Sequence, residues 1–207
     1  MKTAKIGIKI GVFGGSFDPI HRGHVQPVQE ARRSLGLERV IYLPTAQPPH
    51  KPMRELAPPY ARYAMVELAL LGEEGLFASP HELTPGKAAY TVDTLEEFST
   101  AMPEADLHLL IGSDSFLEFH RWWRCRDIAR LAHLVVLARP GWDLETAVLA
   151  PELGDLAASG RVLLLHQEPV DASSTQLRRI LSRGEAPPPG VLPGLVLDYA
   201  RKYQLYR

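Results

Sequence analysis

The sequence predicts a doubly wound α/β fold: a mostly parallel sheet with helices on both faces and a small helical part at the C-terminus. Two observations carry this. Short apolar runs alternate with stretches of helical spacing along most of the chain. The runs at 106–112 (Asp-Leu-His-Leu-Leu-Ile-Gly) and 133–138 (His-Leu-Val-Val-Leu-Ala) are nearly continuous rather than alternating, as expected of parallel strands buried on both faces. With 207 residues and 45% hydrophobic composition, the chain can bury its own core without a disulfide or metal staple. We expect one domain over 1–207, with a helical subregion from about 172.

Taken in order, Ile6, Ile8, Ile10 and Val12 are apolar at period 2 and predict a strand over about 5–13, stopped by Gly14-Gly15. Val25, Val28, Ala31 and Leu35 keep helical spacing over 23–35, and Gly36 closes that helix. Residues 39–43 read as a short buried strand ended by Pro44. Six prolines between 44 and 59 mark a loop long enough to be functional. A helix over 59–71 follows, then a strand near 76–83 and a helix over 91–101. Short helical turns cover 113–130. Residues 142–160 carry the weakest pattern, with room for a short helix. Arg161–Leu165 makes a last strand. Helices over about 174–183 and 193–203 finish the chain, separated by Pro187-Pro188-Pro189-Gly190.

Composition removes several function classes. The formal net charge is −1, so no global basic field draws the protein to nucleic acid or to anionic lipid. Cys125 is the single cysteine and has no intrachain partner. No apolar run reaches 18 residues, and Met1-Lys2-Thr3 leads directly into an apolar/Lys alternation without the apolar stretch of a signal peptide. The expected address is cytoplasmic, with no membrane contact. Self-association is left open.

In doubly wound sheets, ligands sit beyond the carboxyl ends of the strands, where strand order reverses. The residues there include Gly14-Gly15-Ser16-Phe17-Asp18-Pro19-Ile20-His21-Arg22-Gly23-His24. Glycines after a strand let main-chain amides approach an anion, and the next helix adds its N-terminal dipole. His21 and His24 are spaced to share a face at that helix start. Two imidazoles there can hydrogen-bond a polyphosphate and, if protonated, offset the charge of a phosphoryl transition state.

This stretch resembles the signature of the nucleotidylyltransferase superfamily, whose core is His-x-Gly-His. The resemblance implies a Rossmann-like sheet and binding of ATP phosphates by His21 and His24, with Gly14, Gly15, Ser16 and Phe17 beside them. Ala172-Ser173-Ser174-Thr175-Gln176-Leu177-Arg178 resembles that superfamily's Ser-Ser-Thr-x-x-Arg motif. It implies a second phosphate cradle from Ser174, Thr175 and Arg178. On the residues alone, Ser173, Ser174 and Thr175 are also ordinary helix caps.

Three further stretches resemble the nicotinate mononucleotide adenylyltransferases within it. Pro44-Thr45-Ala46-Gln47-Pro48-Pro49-His50-Lys51 is similar to their Pro-Pro-His-Lys loop. By that resemblance Ser16, Thr45, His50 and Lys51 lie beside the mononucleotide. Ala89-Tyr90-Thr91-Val92-Asp93-Thr94-Leu95 is similar to Ser-Tyr-Thr-x-x-Thr-Leu, with Ala89 replacing the serine; it places Tyr90 and Thr91 near the substrate carboxylate. Gly112-Ser113-Asp114-Ser115 with the Trp122-Trp123 pair is similar to Gly-x-Asp-Ser followed by Trp. That puts Gly112 and Asp114 on the ATP side and the Trp122 face under the pyridine ring. Arg139, after a strand, falls on the adenosine side.

The activity so implied is transfer of AMP from ATP to nicotinate mononucleotide. His21, His24, Lys51 and Arg178 are the expected catalytic set, and Mg²⁺ arrives with ATP rather than in a protein metal site. The residues leave open nicotinamide mononucleotide as the substrate, alone or with the acid form. Phosphopantetheine fits the 44–51 loop and Trp122 poorly. A catalytically silent nucleotide-binding module is the alternative from another class. An enzyme that charges tRNA shares the His-x-Gly-His logic, but this length has no room for an anticodon domain.

Overall fold

The computed structural model describes residues 7–46, 56–83, 90–138, 149–166, 168 and 170–207. The strands are β1 (Ile8–Gly15), β2 (Arg39–Pro44), β3 (Leu76–Ala78), β4 (Ala105–Gly112), β5 (His133–Ala138) and β6 (Val162–His166). They form one sheet in the order β3-β2-β1-β4-β5-β6. Every pairing in it is parallel. The chain leaves β1 toward one edge and returns to β4 on its other side, so the strand order reverses between β1 and β4.

The helices are α1 (Arg22–Leu35), α2 (Pro59–Leu70), α3 (Thr91–Ala101), α4 (Ser113–Leu117), α5 (Cys125–Leu131), α6 (Pro151–Ala158), α7 (Ser174–Ser182) and α8 (Gly194–Lys202). A 3-10 turn covers Phe119–Arg121. Alternating side chains of the central strands feed two cores, one on each face. Leu110, Val135 and Leu137 pack with α1, α2, α7 and α8 through Val28, Val66, Leu177 and Val196. Leu109, Ile111, Leu134 and Val136 pack on the other face with Val92, Leu95, Phe116 and Ile128. This two-sided burial is why those strands read as unbroken apolar runs. Among the described residues, no helix is long and apolar enough to cross a membrane.

The structure adjusts two expectations and fills in a third. β1 does not stop at Gly14: Gly14 and Gly15 pair in register with Leu43 and Pro44 of β2. The strand expected through 83 ends at Ala78. Ser79 N–H still reaches Tyr42 O at 2.9 Å, but Pro80 has no N–H to continue the ladder, and 80–83 turns instead. The weakly patterned 142–160 stretch contains α6, starting on Pro151; 142–148 lie outside the described residues.

Candidate active site

The carboxyl ends of β1 and β4, at the reversal point, each carry a glycine with open space beside it, Gly14 and Gly112, whereas Gly15 at the end of β1 lies against the Phe17 ring. No atom lies within 4 Å of the position a Cβ would take on Gly14 or on Gly112. After β1 the chain turns through Phe17, whose φ of 46° puts its ring into the core. That ring is 2% exposed and packs edge-on against His24 at 5.3 Å. Phe17 is therefore a support under the histidines, and only its main chain is available to a ligand.

His21 occupies the N-cap of α1 and His24 its third helical position. Their rings lie 3.8 Å apart between centroids. The His21 N–H donates to His24 Nδ1 at 3.3 Å, which leaves His24 Nε2 as the N–H donor of the neutral ring. His21 Nδ1 is buried and has no hydrogen-bond partner among the described residues. Gly23 is crowded: a Cβ there would stand 3.1 Å from the His21 ring and 3.4 Å from Ala172, so the ring would have to shift by a few tenths of an ångström. From beneath, Tyr42 OH donates to His24 O at 2.9 Å, tying the first turn of α1 to β2.

Burial holds the His21 imidazole down at about 4. Burial first, and His21 second, hold His24 well below its ordinary value. Both rings are thus neutral at pH 7 in the ligand-free protein. The sequence expectation that they could act as cations applies only once an anion is bound.

The start of α7 lies against this same loop. Ser174 Oγ donates to Pro19 O at 3.1 Å. Arg178 Nη1 donates to Asp18 O at 2.8 Å and stands 3.8 Å from the Asp18 carboxylate. Arg178 Nη2 donates to Thr175 Oγ1 at 3.3 Å. Ser173 sits at the N-cap but makes no side-chain capping bond. The hydroxyls of this stretch therefore join α7 to the histidine loop and Arg178 instead of capping the helix, and the first N–H groups of α7 keep no side-chain cap.

The other expected positions lie after β2, at the starts of α3 and α4, and after the 3-10 turn. Thr45 N–H donates to Gly15 O at 3.0 Å, which brings Thr45 beside Ser16. Tyr90 is the N-cap of α3, 40% exposed, and Thr91 its first helical residue. Trp122 is half-buried, its ring 5.4 Å from Phe119. Its neighbour Trp123 is 63% exposed and stands 6.2 Å from the Tyr90 ring. Asp114 is exposed in the first turn of α4. His50, Lys51, Arg139 and Ala89 lie outside the described residues.

Sequence reasoning missed the groups that hold these loops. Arg62 on α2 is fully buried. It donates to Ala57 O at 3.0 Å, Ser16 O at 2.6 Å, Thr45 O at 2.7 Å and Ala46 O at 3.0 Å. One guanidinium thereby joins the loops after β1 and β2 to the start of α2. Its burial lowers its pKa, and Asp18 and Tyr206 oppose that. Asp18, 1% exposed, accepts from Ala57 N–H at 3.1 Å and from Tyr206 OH at 2.7 Å. Tyr206, beyond α8, thus reaches the histidine loop. The one signal for Arg62 is its place in the 62, 65, 66, 69 stripe of α2, where Met65, Val66 and Ala69 are core. We expect Arg62→Met to leave those carbonyls without a donor and cost about 2 kcal/mol. At this size that lowers the melting midpoint by roughly 4–8 °C; an unchanged midpoint would show that the loops find other partners.

Comparison with known proteins agrees with this geometry. A Cytidylyltransferase-like family model matches residues 12–180. A Laribacter hongkongensis protein named "Probable nicotinate-nucleotide adenylyltransferase" is 41% identical, over 97% of this chain and 95% of its own. An Aeromonas hydrophila protein of the same name is 39% identical, over 96% and 97%. The solved Plasmodium falciparum nicotinic acid mononucleotide adenylyltransferase complexed with NaAD shares the fold, with a TM-score of 0.77 at 17% identity, over 96% of this chain and 97% of its own.

Proposed function

Because the chain belongs to the nicotinate-nucleotide adenylyltransferase family, we propose that the crevice at the β1/β4 reversal is where it joins its two substrates. The enzyme transfers AMP from ATP to nicotinate mononucleotide, giving nicotinate adenine dinucleotide and pyrophosphate, in NAD biosynthesis. One observation supports the placement above the others: the histidine pair and the start of α7 meet on one loop, joined through Ser174–Pro19 and Arg178–Asp18. Donors from both ends of the sequence converge there, as a triphosphate requires.

The mononucleotide 5′-phosphate is ionised at neutral pH and needs no general base. One of its oxygens attacks the α-phosphorus, and the bond to the bridging α–β oxygen breaks. That electron pair leaves with pyrophosphate. Catalysis is then positioning and stabilisation of charge on the phosphates. We assign this to His24 Nε2, His21, the α7 N-terminus with Ser174 and Thr175, and Arg178. Gly14, Gly15, Ser16 and Gly112 admit the nucleotide closely, and Asp114 accepts from its ribose hydroxyls. Thr45, Tyr90, Thr91 and Trp122 take the mononucleotide. The roles of His50, Lys51 and Arg139 rest on the family motifs.

Among the described residues, no group of three or more His, Cys, Asp or Glu side chains is placed to hold a metal ion. We infer that Mg²⁺ would enter with ATP as part of the substrate, where it would supply neutralisation of phosphate charge. We read the chain as a single catalytic domain that works in the cytoplasm.

Pyrophosphate release tests the reading. With ATP, release is expected on adding nicotinate mononucleotide, and none with phosphopantetheine or without an acceptor. No release with either mononucleotide would leave a nucleotide-binding module. Arg178→Ala is expected to raise the KM for ATP about tenfold and to lower the melting midpoint little, since the bonds it loses, to Asp18 O and Thr175 Oγ1, leave Asp18 still held by Ala57 N–H and Tyr206 OH. If melting collapses while ATP affinity survives, α7 is a structural strut and not a phosphate clamp.

A further inference from the structure

We propose that Glu82 is a positioning residue for the mononucleotide, because its half-buried carboxylate bridges Thr45 of the loop after β2 and Thr94 of α3. It rests on the function proposed above. Glu82 lies in the turn after β3, outside every motif the sequence presents. Its Oε2 accepts from Thr45 Oγ1 at 3.3 Å and its Oε1 from Thr94 Oγ1 at 2.9 Å. Its main-chain carbonyl also accepts from Ala46 N–H at 3.1 Å. A buried carboxylate is costly unless hydrogen-bonded. Burial pushes the Glu82 carboxyl up, and the two threonine hydroxyls oppose that.

The bridge completes a clamp. Thr45 uses its N–H on Gly15 O, its C=O on Arg62 and its hydroxyl on Glu82. Ala46 uses its N–H on Glu82 and its C=O on Arg62. Every polar group of these two residues is held. Of the residues that hold them, Glu82 is the one that also reaches α3. Thr94 is 5% exposed and lies one turn beyond Thr91 on the same face of that helix. Glu82 therefore sets the distance between Thr45 and the Tyr90–Thr91 end of α3, the two sides between which we place the mononucleotide. It touches neither the histidine pair nor α7, so the ATP side is independent of it.

The experiment is steady-state kinetics on the full chain, varying each substrate separately. Glu82→Ala is expected to raise the KM for nicotinate mononucleotide about tenfold, with kcat and the KM for ATP within twofold of wild type. Thr94→Val keeps the buried shape but lacks the hydroxyl; it is expected to raise the same KM about threefold. Glu82→Gln keeps one acceptor, and its amide can donate to the other threonine oxygen, so it should restore the wild-type KM to within about threefold. The Glu82→Ala/Thr94→Val pair should be no worse than Glu82→Ala alone, since both cut one bridge. If Glu82→Ala does not fold, Glu82→Gln and Thr94→Val carry the test. A mononucleotide KM unmoved by Thr94→Val, or both KM values and kcat shifting together, overturns the proposal. Wild type assayed alongside separates the two levels. If it turns over the mononucleotide and the variants show no split, only Glu82's role falls. If it does not, the site reading falls with it.

Discussion

Replacing His24 with Ala lowers kcat by 10²-fold or more while the mononucleotide KM changes little; single-turnover and steady-state kinetics measure both. The expectation comes from where the ring points its proton. His24 Nδ1 is occupied by the His21 N–H at 3.3 Å, so the neutral ring carries its proton on Nε2, free to donate to a phosphate. Phe17 at its edge and Tyr42 on its carbonyl fix the orientation before substrate arrives. A preorganised donor aimed at growing phosphate charge is worth about 10²–10³ in rate, or roughly 2.7–4 kcal/mol. An unchanged kcat removes His24 from the catalytic set.

The same burial sets a pH dependence. His21 titrates at about 4 in the folded protein against about 6.5 unfolded, because its cation is desolvated. The unfolded chain therefore binds the proton more readily. This contribution to stability is complete above about pH 6.5 and is lost as pH falls toward 4. The melting midpoint of wild type should fall over that window more steeply than that of His21→Gln, which lacks the titration. Parallel slopes would mean that the ring is hydrated in solution.

Much of the fold was open to reading because it rests on pattern. The apolar runs of β4 and β5 can only be buried on both faces, and the turn residues around α1 and α2 mark their own boundaries. The end of β3 depends on one missing N–H at Pro80, visible only when the strand is seen to be an edge. The histidine loop and the start of α7 were legible as motifs, but their contact through Asp18 and Pro19 was not. Nor was the neutrality of the histidines, because burial is a property of the packed fold. Arg62, Glu82 and Tyr206 work through long-range bonds to main chain and hydroxyls, which leave no local spacing. Arg62 alone left a trace, as a charge on an apolar stripe.

Nicotinate mononucleotide is favoured over the nicotinamide form by at least about 10²-fold in kcat/KM. The two substrates differ only at a carboxylate and a carboxamide. α3 runs for 11 residues, with Tyr90 at its N-cap; Asp93 N–H is taken by Tyr90 O at 3.0 Å, which leaves the N–H groups of Thr91 and Val92 without an acceptor in the helix. Two N–H donors facing a carboxylate make charge-assisted hydrogen bonds to both oxygens, and the helix dipole favours the anion. Against a carboxamide, one donor meets the carbonyl and the other meets an NH₂, donor against donor. A buried unpaired donor costs about 1–3 kcal/mol, and the lost charged bond adds a similar amount. At 1.4 kcal/mol per tenfold, the sum is sufficient for the ratio. An aromatic face under the ring cannot contribute to it, because acid and amide present the same face. Trp122→Ala should therefore weaken both substrates alike and leave their ratio within about twofold. If the ratio itself collapses in Trp122→Ala, the indole is positioning the carboxylate and not merely supporting the ring. A wild-type ratio near one would mean that the start of α3 does not read the charge, and that the enzyme accepts both mononucleotides.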